Sequence, residues 1–427
     1  MVGGAPISRR TAIRRDVVLG EEHTLFDLRS PGAILSAMDR RGRAIAEDSA
    51  APMPRGAHLI GSVPMASADA VFRTMAGSLG DRLRRIPDGE TGERALFAGW
   101  QVKTFAQHPD FEPVPGRRLM EVVKPRRLRA GVDPTSVHFP QLGFAEAARE
   151  SYEVFKRLRS DGIIRPGVRF QVSLPTPVNC LAMVVDKRDI PAVEGHYEAA
   201  MLSEVDAIAD HVPPTDLALQ WDCPWEVRVW DGNLPAFLVQ PWFGDARAGL
   251  LDRLLRLGAR VPEGAELGYH LCHGDYEHTG NLILGIGAGA MSRVLRSTAA
   301  RLLREFSIRV AGPPRDARSV TELANALVER TSRPINFIQL PAPRAARSEY
   351  FAPLSGLRLQ PDVELYIGLV HFTDGLKGTR RRIESAQKVV REFGVSTECG
   401  WGRRDPQTIP GLIDLHRQVS LPIGDDR

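Results

Sequence analysis

Two short segments carry the residue types best suited to metal chemistry. In Glu266-Leu-Gly-Tyr-His270-Leu-Cys272-His273-Gly-Asp275 an apolar run ends in His-x-Cys, and far downstream Ser396-Thr-Glu398-Cys399-Gly-Trp-Gly402 ends a second apolar run in a lone Cys. Imidazole nitrogen and thiolate sulfur are preferred zinc ligands, and three protein ligands leave one position open for chemistry. Taken alone, His-x-Cys is equally compatible with a buried Cys beside a core His. The ends of the other apolar runs add weight to a metal.

The pattern that must position these groups repeats from residue 58 onward: a short apolar run closes on small or polar residues, then a helical stretch follows. Strand-like runs fall at 58–62, 83–87, 168–174, 217–221, 265–269, 335–340, 364–370 and 394–397. The clearest helices are expected at 145–159, 193–211, 291–306, 320–330 and 378–393, with an excursion near 136–140. Eight runs with helical connections predict a single (β/α)8 TIM-type barrel, whose active-site residues sit at the C-terminal strand ends. On this reading 1–55 is an N-terminal extension, partly helical at 31–48. Residues 56–427 form the catalytic barrel, with an insertion at 279–316. That insertion holds Gly285-Ile-Gly287-Ala-Gly289 without the strand-turn-helix setting of a nucleotide loop, and reads as a packed segment or a lid.

The run ends are chemically rich. Ser62, Asp88 with Glu90, Asp222, His270 with Cys272, His371, and Glu398 with Cys399 all close separate runs. Any one has a plain explanation: Asp88 or Asp222 could cap the next helix, and His371 could be a satisfied core His. All of them together are hard to explain as packing, because buried charge costs several kcal/mol unless paired.

Composition excludes some classes. The 427 residues are 43% hydrophobic and 25% charged, with a net charge of +4 and a pI near 9.0. The basic clusters are scattered rather than gathered into one stripe, which argues against nucleic acid. No apolar run of about 18 residues exists, so no membrane-spanning helix is expected. The arginine-rich stretch at 7–16 is followed by no apolar segment, unlike a secretory signal; a transit peptide stays open. Four widely spaced cysteines (180, 223, 272, 399) suit a reducing, cytoplasmic setting better than a disulfide framework.

Taken in order, these run ends resemble the catalytic barrel of cobalamin-independent methionine synthase. Gly61-Ser62-Val-Pro64 is similar to its Gly-Ser-Phe-Pro, and Gly89-Glu90 with Glu93-Arg94 to its His-Gly-Glu-x-x-Arg. Leu174-Pro-Thr-Pro177-Val178 resembles Thr-Gly-Pro-Val, and Gln220-Trp-Asp222-Cys-Pro224 resembles Gln-Ile-Asp-Glu-Pro. His270-Leu-Cys272 matches the His-Met-Cys pair, and Glu398-Cys399-Gly400 with Arg403 matches Asp-Cys-Gly-Leu-Lys-Thr-Arg. The resemblance spans about residues 57–420. It implies zinc held by His270, Cys272 and Cys399, with Ser62, Glu90 and Asp222 facing an amino-acid thiol. Asp222, His371 and Glu398 are then the candidate catalytic groups, and the reaction is transfer of a methyl or other alkyl group from a donor to a small thiol. No nucleic-acid or membrane partner is expected.

The departures bear on the chemistry. The run that in the family ends in a fourth, Glu ligand here ends Ile338-Gln339-Leu340-Pro341, and Cys223 replaces the Glu of Asp-Glu-Pro. The chain is also too short to hold the family's N-terminal half, which helps bind the folate donor. Two alternatives therefore stay open. One is a metal-free decarboxylase or lyase of the uroporphyrinogen decarboxylase type, which uses this kind of barrel. The other is a zinc hydrolase or lyase using metal-bound water.

Overall fold

Runs that are apolar on both faces fold as strands covered on both sides, the habit of parallel sheets. A computed structural model describes residues 53–115, 125–232, 240–274 and 314–424. The stretches expected to be helical at 31–48 and 291–306, and all but the end of the expected insertion, lie outside them.

Seven strands form one parallel sheet in the order β1 (Arg85–Pro87), β4 (Arg169–Pro175), β5 (Leu217–Asp222), β6 (Glu266–His270), β7 (Phe337–Pro341), β8 (Glu364–Gly368) and β9 (Gly394–Val395). The fold is thus α/β with a curled parallel sheet. Between β1 and β4 lies an antiparallel pair, β2 (Phe111–Pro113) with β3 (Arg126–Leu128), so the expected excursion is larger than its apolar signal suggests.

The run at 58–62 does not form a regular strand. Pairing occurs slightly upstream: Ala57 bridges Leu83 on one edge of the sheet and Val395 on the other. Beyond Ala57 the backbone oxygens are taken by side chains. Gln171 Nε2 donates to Leu59 O and Ile60 O, both at 2.9 Å, and Ser173 Oγ and Gln220 Nε2 also donate to Ile60 O. Side-chain donors satisfy these groups where a ladder would otherwise be needed.

Helices cover the outer face. In α3 (Phe144–Ser160) the buried residues Phe144, Ala148, Tyr152, Phe155 and Leu158 recur at helical spacing, and fully burying each large one contributes about 1.5–3 kcal/mol. Glu204, from α5 (Ile190–His211), accepts from the amides of Leu142, Gly143 and Ala145. The amides of Gly143 and Ala145 are among the donors left open at the start of α3. The helix stops at Gly162, whose φ of 73° suits glycine. Farther along, the helix expected at 378–393 ends sooner, spanning Gly375–Gln387.

The inner face is polar. Register rows run Ser173–Gln220–Gly268–Phe337 and Pro175–Asp222–His270–Gln339–Tyr366. Below them Arg85 is buried, bonded to Glu266 at 2.8 Å and Glu364 at 3.0 Å, with its guanidinium 4.1 Å from the Phe337 ring centre. Among the described residues no helix is long and apolar enough to cross a membrane.

Candidate metal centre and active site

The three proposed ligands converge. His270 ends β6, Cys272 follows two residues later, and Cys399 lies just past β9. One ligand atom from each lies within 4.8 Å of the other two. Two sulfurs on one zinc at about 2.3 Å would sit about 3.8 Å apart, so a single ion can satisfy all three. Among the described residues this is the group that could hold a metal. The His270 ring fits that use: Nδ1 donates to Gln339 Oε1, while the buried Nε2 has no hydrogen-bond partner. An orphaned buried nitrogen beside two sulfurs is what an ion would satisfy.

Electrostatics divide the two thiols. A hydrogen bond from Cys272, reinforced by Arg403 and His270, holds the Cys399 thiol well below its ordinary pKa against the effect of burial. Arg403 Nη2 lies 3.3 Å from Cys399 Sγ. Burial, and next the Cys399 sulfur, push Cys272 the other way, well above the ordinary thiol range. Burial lowers the His270 pKa, but Cys399 and Asp222 outweigh it and the net shift is upward.

The Cys399 loop is held from several sides. Trp401 is buried, its amide donating to Ser62 O at 2.7 Å and its indole to Thr397 Oγ1 at 2.9 Å. Thr397 Oγ1 in turn donates to Cys399 O at 2.6 Å. Ser62 Oγ accepts from Gly402 N at 3.2 Å, and a Cβ on Gly400 would overlap that hydroxyl. Ser62 therefore supports the loop that carries Cys399. Glu398 pairs with Arg404 at 2.8 Å and faces His371 Nδ1 at 3.4 Å. His371 Nε2 lies 2.8 Å from Ala342 O. These two sequence candidates thus form a buried polar brace behind Cys399.

Asp222 sits beside His270 in register. Gln220 donates to Asp222 Oδ1 at 2.8 Å, and Gln220 Oε1 meets His58 Nε2 at 2.8 Å. Burial pushes the Asp222 carboxyl up to about 7; His270 and the Gln220 hydrogen bond oppose this, and Cys399 adds to it. Glu90 is raised well above the carboxylate range, first by burial and then by the charge of Asp222. Its backbone is unusual for a non-glycine residue, with φ 45°, a feature that clusters at functional sites. Asp88 supports it by accepting from Glu90 N at 2.8 Å.

Arg94 pairs with Asp88 at 2.6 Å rather than with Glu90, and Ser151 of α3 donates to the same Asp88 oxygen. Two residues that residue type alone did not bring forward belong to the centre: Gln220, which fixes Asp222, and Gln339, which contacts His270. Glu226 is a further buried carboxylate, its Asn179 partner also reaching the Asp222 backbone oxygen. It is held by Thr176 and Asn179, and burial pushes its pKa up to about 7. Gln220 and Gln339 stood in the sequence only as members of the resembling motifs, and Glu226 carried no signal beyond its place just after a strand.

No protein-family model and no curated protein matches the chain. Among solved structures, a methyltransferase from Methanosarcina mazei aligns with a TM-score of 0.41 at 9% identity, over 86% of this chain and 94% of that one.

Proposed function

We propose that this chain is a zinc-dependent transferase that moves a methyl or other alkyl group to a small thiol, akin to the catalytic barrel of cobalamin-independent methionine synthase. The observation that carries the reading is the convergence of a His270 ring nitrogen with Cys272 Sγ and Cys399 Sγ just past the ends of two strands. On the same reading, residues 55–58 serve as the eighth strand of a (β/α)8 barrel, supported by the two bridges of Ala57.

A zinc ion held there would supply Lewis acidity, keeping a substrate thiol deprotonated at neutral pH where a free thiol of pKa about 8.5 is mostly protonated. The chain's own residues do the rest. The charge of Asp222 raises the proton affinity of Glu90, so a cationic amine between the two carboxyls relieves their repulsion and anchors the thiol's other end. Gln220 holds one Asp222 oxygen, which leaves the second for that amine. Burial of His270, Cys272 and Asp222 limits water at the centre, and that strengthens each electrostatic contact.

The test is metal analysis of the purified protein, followed by thiol titration of the cobalt-substituted form. About one zinc per chain and a thiol-dependent cobalt spectrum are expected. Activity without bound metal would point to the lyase alternative, and a cobalt spectrum indifferent to thiols to the hydrolase. Binding of a thiol with and without its amino group tests the anchor; Glu90→Gln and Asp222→Asn should weaken only the amine-bearing one and leave zinc content unchanged.

A further inference from the structure

Gln339 has a definite orientation. Its Nε2 lies 3.0 Å from Leu340 O, 3.0 Å from Ser396 Oγ and 3.2 Å from Thr397 O. Two of these partners are carbonyl oxygens, which only accept, so the amide nitrogen must face them and Oε1 must face His270. Oε1 only accepts as well, so His270 Nδ1 carries the proton. The lone pair is then on Nε2, the buried nitrogen without a partner. Gln339 is fully buried, and both ends of its amide are engaged by these neighbours.

We infer that Gln339 is the positioning residue of this metal centre: one neutral amide selects Nε2 of His270 as the ligating nitrogen and ties the His270 strand to the segment after β9 that leads to Cys399. The inference rests on the metal reading above. The tie is short in sequence as well as in space. Ser396 and Thr397 precede Cys399 by three and two residues, and Thr397 also holds the Cys399 carbonyl. A shift of β7 against β9 would therefore move Cys399 relative to His270. Partners that fix the ring of a ligating His typically change metal affinity roughly 10- to 100-fold when removed.

The substitution that tests this is Gln339→Met, similar in length but unable to accept from Nδ1 or donate to Thr397 O. Competition with a chromophoric chelator should show zinc and cobalt binding weakened roughly 10- to 100-fold, and the cobalt absorption should change in position or intensity. The wild-type protein, labelled with 15N-histidine and loaded with 113Cd, should show cadmium coupling at Nε2 of His270 with Nδ1 still protonated. That measurement decides the matter even if the variant does not fold. Coupling at Nδ1, or affinity in Gln339→Met within twofold of wild type, would overturn the inference while leaving the metal centre standing. A wild-type protein that binds none of the three metals would overturn both.

Discussion

Gly61 and Glu90 compete for one volume: a Cβ built on Gly61 would overlap Glu90 Oε1 and lie 3.1 Å from the Ser173 side chain. The Glu90 backbone is pinned at positive φ by its neighbours, so only its side chain can yield. Gly61→Ala should therefore displace the carboxylate at little cost in stability. Affinity for an amine-bearing thiol should fall about tenfold or more, the value of a hydrogen bond to a charged group. Calorimetric titration checks this, and because Gly61→Ala and Glu90→Gln act on one group their effects should not add. Additive losses would show that Glu90 is not the mediator.

Cys272→Ser and Cys399→Ser should each lose most of the bound zinc, since each removes one of the three proposed ligands. Cys399 sits on a loop past β9 rather than within the strand, so the far-ultraviolet dichroism of Cys399→Ser should stay close to wild type. Stoichiometric zinc in both purified variants would rule out this ligand set.

Asp222 gives the metal-free protein a stability slope of defined sign. Its folded pKa is raised from 3.8 to about 7, so the folded state keeps a proton that the unfolded chain has already lost across that window. Its contribution is present below about 4 and is lost as pH rises to about 7, on the order of a few kcal/mol. Glu90 is shifted in the same direction. Asp222→Asn keeps the oxygen that accepts from Gln220 and removes the titration. Metal-free Asp222→Asn should melt higher than wild type at pH 8 and near it at pH 4. Parallel pH profiles for the two proteins would contradict the assignment.

Gly268→Ala should destabilise the inner face. Its Cβ would enter the Phe337 ring, which is packed between the Arg85 guanidinium and the His58 ring, the latter at 5.2 Å between centres. Overpacking of this kind costs about 1–3 kcal/mol. The urea midpoint should drop with an unchanged slope, and adding Phe337→Leu should restore part of the loss.

Much of the sheet was readable in the chain because its strands are covered on both faces: β4 through β8 begin and end within about two residues of the apolar runs. The convergence of His270, Cys272 and Cys399 was readable too, since reactive side chains at run ends must share one rim once the runs are parallel neighbours. What stayed hidden were partners distant in sequence. Gln339 looked like a ligand position left empty, and only its contacts with His270, Ser396 and Thr397 reveal its use. Arg94 stands four residues after Glu90 in the chain, yet its hydrogen bond goes to Asp88. The run at 58–62 seemed a strand because local apolarity carries no sign that Gln171 and Gln220 would take its carbonyls.

Ala57 pairs with residues 26 positions ahead at Leu83 and 338 ahead at Val395, and Arg55 meets Leu421. As the chain is synthesised, the first contact can form early, but the second must wait until nearly the whole protein has emerged. One side of the growing sheet therefore stays open through most of synthesis, and contacts of such long sequence separation slow folding. Unpaired edges are the usual route to aggregation, so truncations before Gly394 should yield insoluble chains, even though they retain His270, Cys272 and most of the sheet.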